Sequence, residues 1–273
     1  MLGSFRSGLI AIAALLVLAG APAVRADTVV DLELVLAVDI SLSMDMEEQR
    51  LQRDGYVAAL RDPEIMKAIQ SGPHGKIAIT YIEWAGPHSQ TTVLPWTLVE
   101  DDVSAEQAAA KLAQLPISRQ RMTSISSALA YAGRQFDVNP YRGIRRVIDV
   151  SGDGPNNSGA PIQPIRDELV HDGVIINGLP IVIRPSQSSL FDISYLDRYY
   201  ADCVIGGTGS FVIPIKTQAE FTTAIRQKLL LEISSDEPPA RVFKVQSTAP
   251  SEGTDCLVGE QLWQRYMDDR IRN

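Results

Sequence analysis

Leu34-Val35-Leu36-Ala37-Val38 is an unbroken apolar run, and it leads directly into Asp39-Ile40-Ser41-Leu42-Ser43. Five apolar residues without polar alternation predict a strand covered on both faces, as in a parallel sheet held between two layers. One carboxylate and two hydroxyls then fall on alternate positions. Alternate side chains of an extended segment share a side, so Asp39, Ser41 and Ser43 can converge on one point. A donor set made only of oxygen suits a hard cation such as Mg²⁺, Mn²⁺ or Ca²⁺.

Three residues do not complete such a site, because Mg²⁺ takes about six oxygens. Two further candidates stand out. Thr123 lies in Arg121-Met122-Thr123-Ser124-Ile125, which reads as a loop entering a helix. Asp153 follows Val147-Ile148-Asp149-Val150-Ser151-Gly152, a second buried strand ending in a turn. Each residue also has a plainer reading. Asp39, Ser41 and Ser43 could cap the next helix, Thr123 could be an N-cap, and Asp153-Gly154 could be only a turn.

Taken together, Asp-x-Ser-x-Ser, a later Thr followed five residues on by Ala-Leu, and a later strand ending in Asp-Gly resemble the metal-ion-dependent adhesion site of a von Willebrand factor type A domain. The resemblance runs from about Asp31 to Ile233. More narrowly, the chain is similar to an uncharacterised secreted bacterial family of single von Willebrand A domains (DUF1194-like). The resemblance implies a doubly wound α/β fold, with a mostly parallel central sheet and helices on both faces. It implies Asp39, Ser41, Ser43, Thr123 and Asp153 as metal ligands, with one or both aspartates acting through water. It also implies a non-catalytic site whose open metal position takes a carboxylate from a protein or peptide ligand. In some relatives the last domain helix moves on ligand binding. Arg121-Met122 departs from the pattern, which often has a small glycine pair before the threonine.

Residues 1–26 read as a secretory signal peptide: Arg6, an apolar stretch from Leu9 to Leu18, and cleavage after Ala26. An uncleaved N-terminal anchor is the alternative. The expected location is periplasmic or secreted. Loss of Arg6 and Arg25 with the leader would take the net charge from −8 to −10. So acidic a chain does not favour nucleic acid or an anionic membrane. No later stretch is long and apolar enough to span a bilayer. Cys203 and Cys256 are the only cysteines, and an even pair in an exported chain reads as a disulfide, with two free thiols as the alternative.

The mature chain alternates strand and helix patterns, the signature of α/β architecture. Predicted strands are Leu32–Asp39, Lys76–Trp84, Thr91–Val99, Ile144–Val150, Val174–Ile183 and Ser210–Ile215. Pro95 demotes the third to an edge, hairpinned to its predecessor across Gly86-Pro87-His88. Predicted helices are Met46–Leu60, Glu64–Ile69 opened by Pro63, a helix capped by Ser104 to Leu115, Thr123–Phe136, Pro161–Asp172 and Ala219–Ile233. Ser188–Ala201 reads as an aromatic-rich loop with a short helix. With the resemblance, these patterns imply a leader at 1–26, a von Willebrand A domain at 27–233, and a linker and tail at 234–273, with a possible strand at Arg241–Val245 and a possible helix at Glu260–Ile271.

Rival chemistry is thin. Gly206-Gly207-Thr208-Gly209-Ser210 precedes a strand and lacks the lysine of a phosphate loop, so it reads as a turn. His74, His88 and His171 show no ligand spacing, and Ser41 has no nearby base to activate it. Trp84, Trp96, Tyr195, Tyr199 and Tyr200 read as core. A metal-dependent hydrolase would need a general base, for which only Asp45 or Asp149 is near in sequence. A structural module with a vestigial metal site is the remaining alternative.

Overall fold

The computed structural model describes residues 27–183, 191–234 and 253–272. The expected leader and the possible strand at Arg241–Val245 lie outside the described residues.

The apolar run forms the middle of β1 (Thr28–Asp39), which is the central strand of a five-stranded sheet. On one side it pairs in parallel with β2 (Ile77–Trp84), which carries the antiparallel edge strand β3 (Gln90–Val99). On the other side it pairs in parallel with β4 (Tyr141–Gly152), followed by β5 (Val174–Pro180). The order is β3-β2-β1-β4-β5. Successive connections leave β1 in opposite directions, so a switch point falls between β1 and β4 at their carboxyl ends, where ligands of open α/β sheets bind.

The pleat of β1 explains why both faces are covered. Leu32, Leu34, Leu36 and Val38 point into one core with α1 (Met46–Leu60), α2 (Pro63–Gln70), α3 (Asp102–Gln114) and α7 (Phe221–Ile233). Val35 and Ala37 point into the other, against α4 (Ile125–Gln135), α5 (Ile162–His171) and the short α6 (Leu196–Tyr199) with its π-helical continuation Tyr200–Val204. A C-terminal helix, α8 (Val258–Arg272), completes the described chain.

Helix boundaries follow local chemistry. Asp45 accepts from the backbone N–H groups of Glu47 and Glu48, and Glu48 returns a bond to the Asp45 N–H, closing a capping box on α1. The cap of α3 is Asp101, not Ser104: Ser104 sits at the third helical position and answers the cap as its partner. The cap of α4 is Ser124, not Thr123. The predicted strand Ser210–Ile215 reduces to isolated bridges, Gly178 with Val212 and Ile181 with Ile215. Glycines at 207 and 209 with positive φ bend the chain there, so the segment reaches β5 only at separate points. Val174–Ile183 likewise stops pairing as a strand at Pro180. Trp84, Tyr199 and Tyr200 are fully buried as expected of core, whereas Tyr195 is 37% exposed.

Among the described residues no helix is long and apolar enough to cross a membrane. Cys203 and Cys256 form a disulfide. The bond joins the π-helical turn to the approach of α8, so the tail is tied to the domain.

Candidate metal centre

Asp39 ends β1 and Asp153 directly follows β4, its neighbour across the switch point. Asp39 is fully buried. Its Oδ1 accepts from the Ser41 N–H at 2.6 Å, which folds the chain back over the strand end. The Ile40 N–H bonds to the Trp84 carbonyl and the Ile40 carbonyl accepts from Gln120, so this turn is fixed on both sides. The Ser41 and Ser43 hydroxyls lie 2.7 Å apart, and Ser43 donates to Asp153 Oδ1 at 2.6 Å. The strand-end aspartates and both serines are thus one connected oxygen cluster.

The capping readings do not hold for four of these residues. The cap of α1 is Asp45, which leaves Asp39, Ser41 and Ser43 without a capping task, and the cap of α4 is Ser124 rather than Thr123.

Thr123 is placed by a clamp. Its N–H donates to Asn157 Oδ1 at 2.9 Å, and its carbonyl accepts from the Asn157 N–H at 2.9 Å. Asn156 Oδ1 accepts from the Ser126 N–H at 3.0 Å, anchoring the same loop to the first turn of α4. Met122, just before Thr123, is the one non-glycine with positive φ, +71°, among the described residues. A left-handed methionine costs on the order of 1–2 kcal/mol. The strain sits where the resemblance expects glycine, and it delivers Thr123 to the cavity that Ser41, Ser43 and Asp153 also line.

Electrostatically the cluster is under-compensated. Burial pushes the Asp39 carboxyl well up, and the charge of Asp153 adds to the effect. Burial likewise pushes Asp153 up to about 7, aided by Glu48 and Asp192 and opposed by the Ser43 hydroxyl. Asp39 Oδ2 is buried without a hydrogen-bond partner, as is the Tyr200 hydroxyl. Both stand 2.8 Å from the point a side chain on Gly152 would occupy, so only glycine lets them approach the strand end. Among the described residues no three of His, Cys, Asp and Glu are grouped to hold a metal. The donor set here is instead two carboxylates and three hydroxyls, and an orphaned carboxylate oxygen with two raised carboxyls is an environment that a hard cation fits.

Residues 29–237 match the family described as protein of unknown function (DUF1194). The chain belongs to that family. Its fold is that of von Willebrand A domains, shared with several solved structures. Proximal thread matrix protein 1 from the mussel byssus, with a zinc-occupied MIDAS motif, is 15% identical with a TM-score of 0.56, over 76% of this chain and 48% of that one. The von Willebrand factor type A protein from Catenulispora acidiphila is 17% identical with a TM-score of 0.53, over 75% and 43%. The pilus adhesin SpaC from Lactobacillus rhamnosus GG is 12% identical with a TM-score of 0.56, over 76% and 31%. The chain thus spans about half or less of these three structures, and at these identities the likeness establishes the fold. No curated protein matches the chain.

Sequence reading missed three contributors. Asn156 and Asn157 act through contacts to residues about 30 positions away, which no local spacing announces. Tyr200 reads as core and is core, but its hydroxyl also faces the buried Asp39.

Proposed function

We propose that this protein is a divalent-cation-dependent binding module that works outside the cytoplasm and takes a carboxylate-bearing protein or peptide ligand. The observation that carries this reading is the continuous chain Ser41–Ser43–Asp153 over the buried Asp39, at the switch point of the sheet. Ser41, Ser43 and Thr123 would hold the ion with Asp39 and Asp153, which would supply the negative charge behind it. Mg²⁺, or Mn²⁺ or Ca²⁺, would provide a Lewis-acidic position that a ligand carboxylate can fill. The zinc-occupied MIDAS motif named for the mussel protein and the adhesin role named for SpaC belong to chains with this same fold. The disulfide agrees with an oxidising compartment.

The site binds rather than turns over. Asp45 is consumed in capping α1, and Asp149 is buried on the other side of β4 against Lys228 and Tyr56. Neither candidate base faces the cluster.

Thermal unfolding tests the reading. In EDTA and then in millimolar Mg²⁺, Mn²⁺ or Ca²⁺, a cation at a hundred times its Kd stabilises by about 2.7 kcal/mol. That corresponds to a rise in Tm of roughly 5–10 °C for a domain of this size. Asp39→Ala is expected to lose the rise. A wild-type midpoint indifferent to all three cations, or an equal rise in the variant, rejects the site.

A further inference from the structure

Resting on that reading, we propose that α8 is a wall of the ligand pocket, and that the pocket takes a short peptide carrying a carboxylate beside an aromatic side chain. The cluster opens into a cavity of about 1000 Å³. That lies at the upper end of pockets for small ligands. Ser41, Ser43, Thr123 and Asp153 form its floor, and Trp263, Tyr266, Met267 and Arg270 of α8 line it from the tail. A site walled in this way admits a chain segment rather than the broad face of a folded partner.

Three contacts seat the helix. The Cys203–Cys256 disulfide lies just before it. Gly259 rests on the backbone of Asn156, where an added Cβ would fall 2.0 Å from the carbonyl oxygen. Asn156 Nδ2 donates to Glu260 Oε1 at 2.6 Å. The Asn156-Asn157 loop that clamps Thr123 is therefore also the seat of α8, and the two sides of the cavity share one support.

The helix is not spent on the core. Gly259 is its one buried residue. Trp263, Tyr266 and Met267 stand at spacings of three and four, hence on one face, and that face lines the cavity. Phe191 joins Trp263 and Tyr266 in a ring cluster with centroids 5.6–5.8 Å apart. Arg121, Lys216 and Arg270 also line the cavity, and none forms an ion pair among the described residues, in a chain of net charge −8. Four acids, Glu48, Asp153, Asp192 and Asp197, share the lining, so a bound dication tips the balance to positive. Cationic rim, aromatic wall and hydroxyl floor together call for an anionic group on an aromatic body.

The test uses the full exported chain, Mg²⁺ and three blocked pentapeptides of glycine around Phe-Glu, Phe-Gln or Ala-Glu, with binding read by calorimetry. The Phe-Glu peptide is expected to bind at least tenfold more tightly than the other two. Trp263→Ala and Arg270→Ala are each expected to weaken it at least tenfold while the Mg²⁺-induced rise in Tm stays as in wild type. Gly259→Val, which lifts α8 from its seat, is expected to weaken Phe-Glu binding at least tenfold as well. Phe-Glu binding unaffected by the α8 variants but abolished by Asp39→Ala overturns the inference and leaves the cation-dependent reading standing. No binding of Phe-Glu to wild type that shows the Mg²⁺ shift overturns the assigned ligand. Loss of the Mg²⁺ shift in wild type removes the underlying reading itself.

Discussion

Lys228→Met is expected to lower unfolding stability by about 3–5 kcal/mol, the usual effect of stripping one partner from a buried ion pair. Lys228, on α7, is fully buried, and its Nζ lies 2.9 Å from Asp149 Oδ1 of β4. That contact is an ion pair rather than an aligned hydrogen bond, since Asp149 Oδ1 has no bond of good geometry. Lys228 also donates to Glu232 one turn on, and sits 5.1 Å from the centre of the Phe211 ring. Methionine fills the volume and removes the charge, which leaves two carboxylates facing each other without a cation. Urea unfolding measures the loss through the midpoint at constant slope. The triple variant with Asp149→Asn and Glu232→Gln is expected to recover most of the stability, because a neutral buried cluster needs no counter-charge. A loss below about 1 kcal/mol in Lys228→Met would mean that water already reaches the group. The pair also ties α7 to β4, the strand that leads into Asp153, so any sliding of α7 along the sheet must first break it.

The same triad sets a pH dependence. Burial, with the charge of Asp149, pushes the Glu232 carboxyl from 4.5 up to about 7 despite Lys228. Between those values the unfolded chain gives up its proton first. The contribution of Glu232 is therefore full below pH 4.5 and is lost as pH rises to 7, about 3 kcal/mol across the window. Glu232→Gln imitates the protonated acid and keeps an acceptor for Asn177 Nδ2, which stands 3.1 Å away. Its stability relative to wild type is expected to climb from pH 4.5 to about 7 and then level. A constant offset across that range refutes the assignment.

What the sequence disclosed, and what it hid, divides by range of interaction. The strand run into Asp39, the second run into Asp153, the β2–β3 hairpin and the span of α1 all rest on local pattern, and they stand where the pattern puts them. The start of β1 at Thr28 rather than Leu32, and of β4 at Tyr141 rather than Ile144, depends on their mutual pairing from Thr28–Tyr141 onward. That ladder carries Arg142, Arg145 and Arg146, which a search for apolar runs passes over. The caps of α3 and α4 fall one to three residues from the positions that local pattern favours, because Asp101, Ser104, Thr123 and Ser124 are all good capping types and only tertiary context chooses among them. Asp149 carries a further signal: a carboxylate inside Val147-Ile148-Asp149-Val150 calls for a buried partner. Lys228 supplies it from a helix whose Lys–Glu spacing of four looks like a solvent-facing pair.

The double variant Cys203→Ala, Cys256→Ala is expected to lose about 2–4 kcal/mol, since the bond closes a loop across a sequence separation of 53. Alanine avoids leaving a new hydroxyl at Cys203, which is fully buried. The larger consequence is local. With Gly259 as its one buried residue and Val258 packed half-buried against the core, α8 has little of the apolar contact that usually holds a helix to a core, and an isolated helix of 15 residues is marginal in water. Its remaining ties would include the Gly259 seat, the Val258 and Phe191 contacts and the Asn156–Glu260 hydrogen bond, the last worth about 1.5–3 kcal/mol. Hydrogen exchange is therefore expected to show the α8 amides losing protection by a factor of ten or more, with β1 and β4 changing only by the global loss. Wild type in reductant should behave as the variant does. Undiminished α8 protection in the variant would show that packing on the Asn156 loop alone holds the helix. The disulfide would then act on the unfolded chain only, and the wall of the pocket would stand without it.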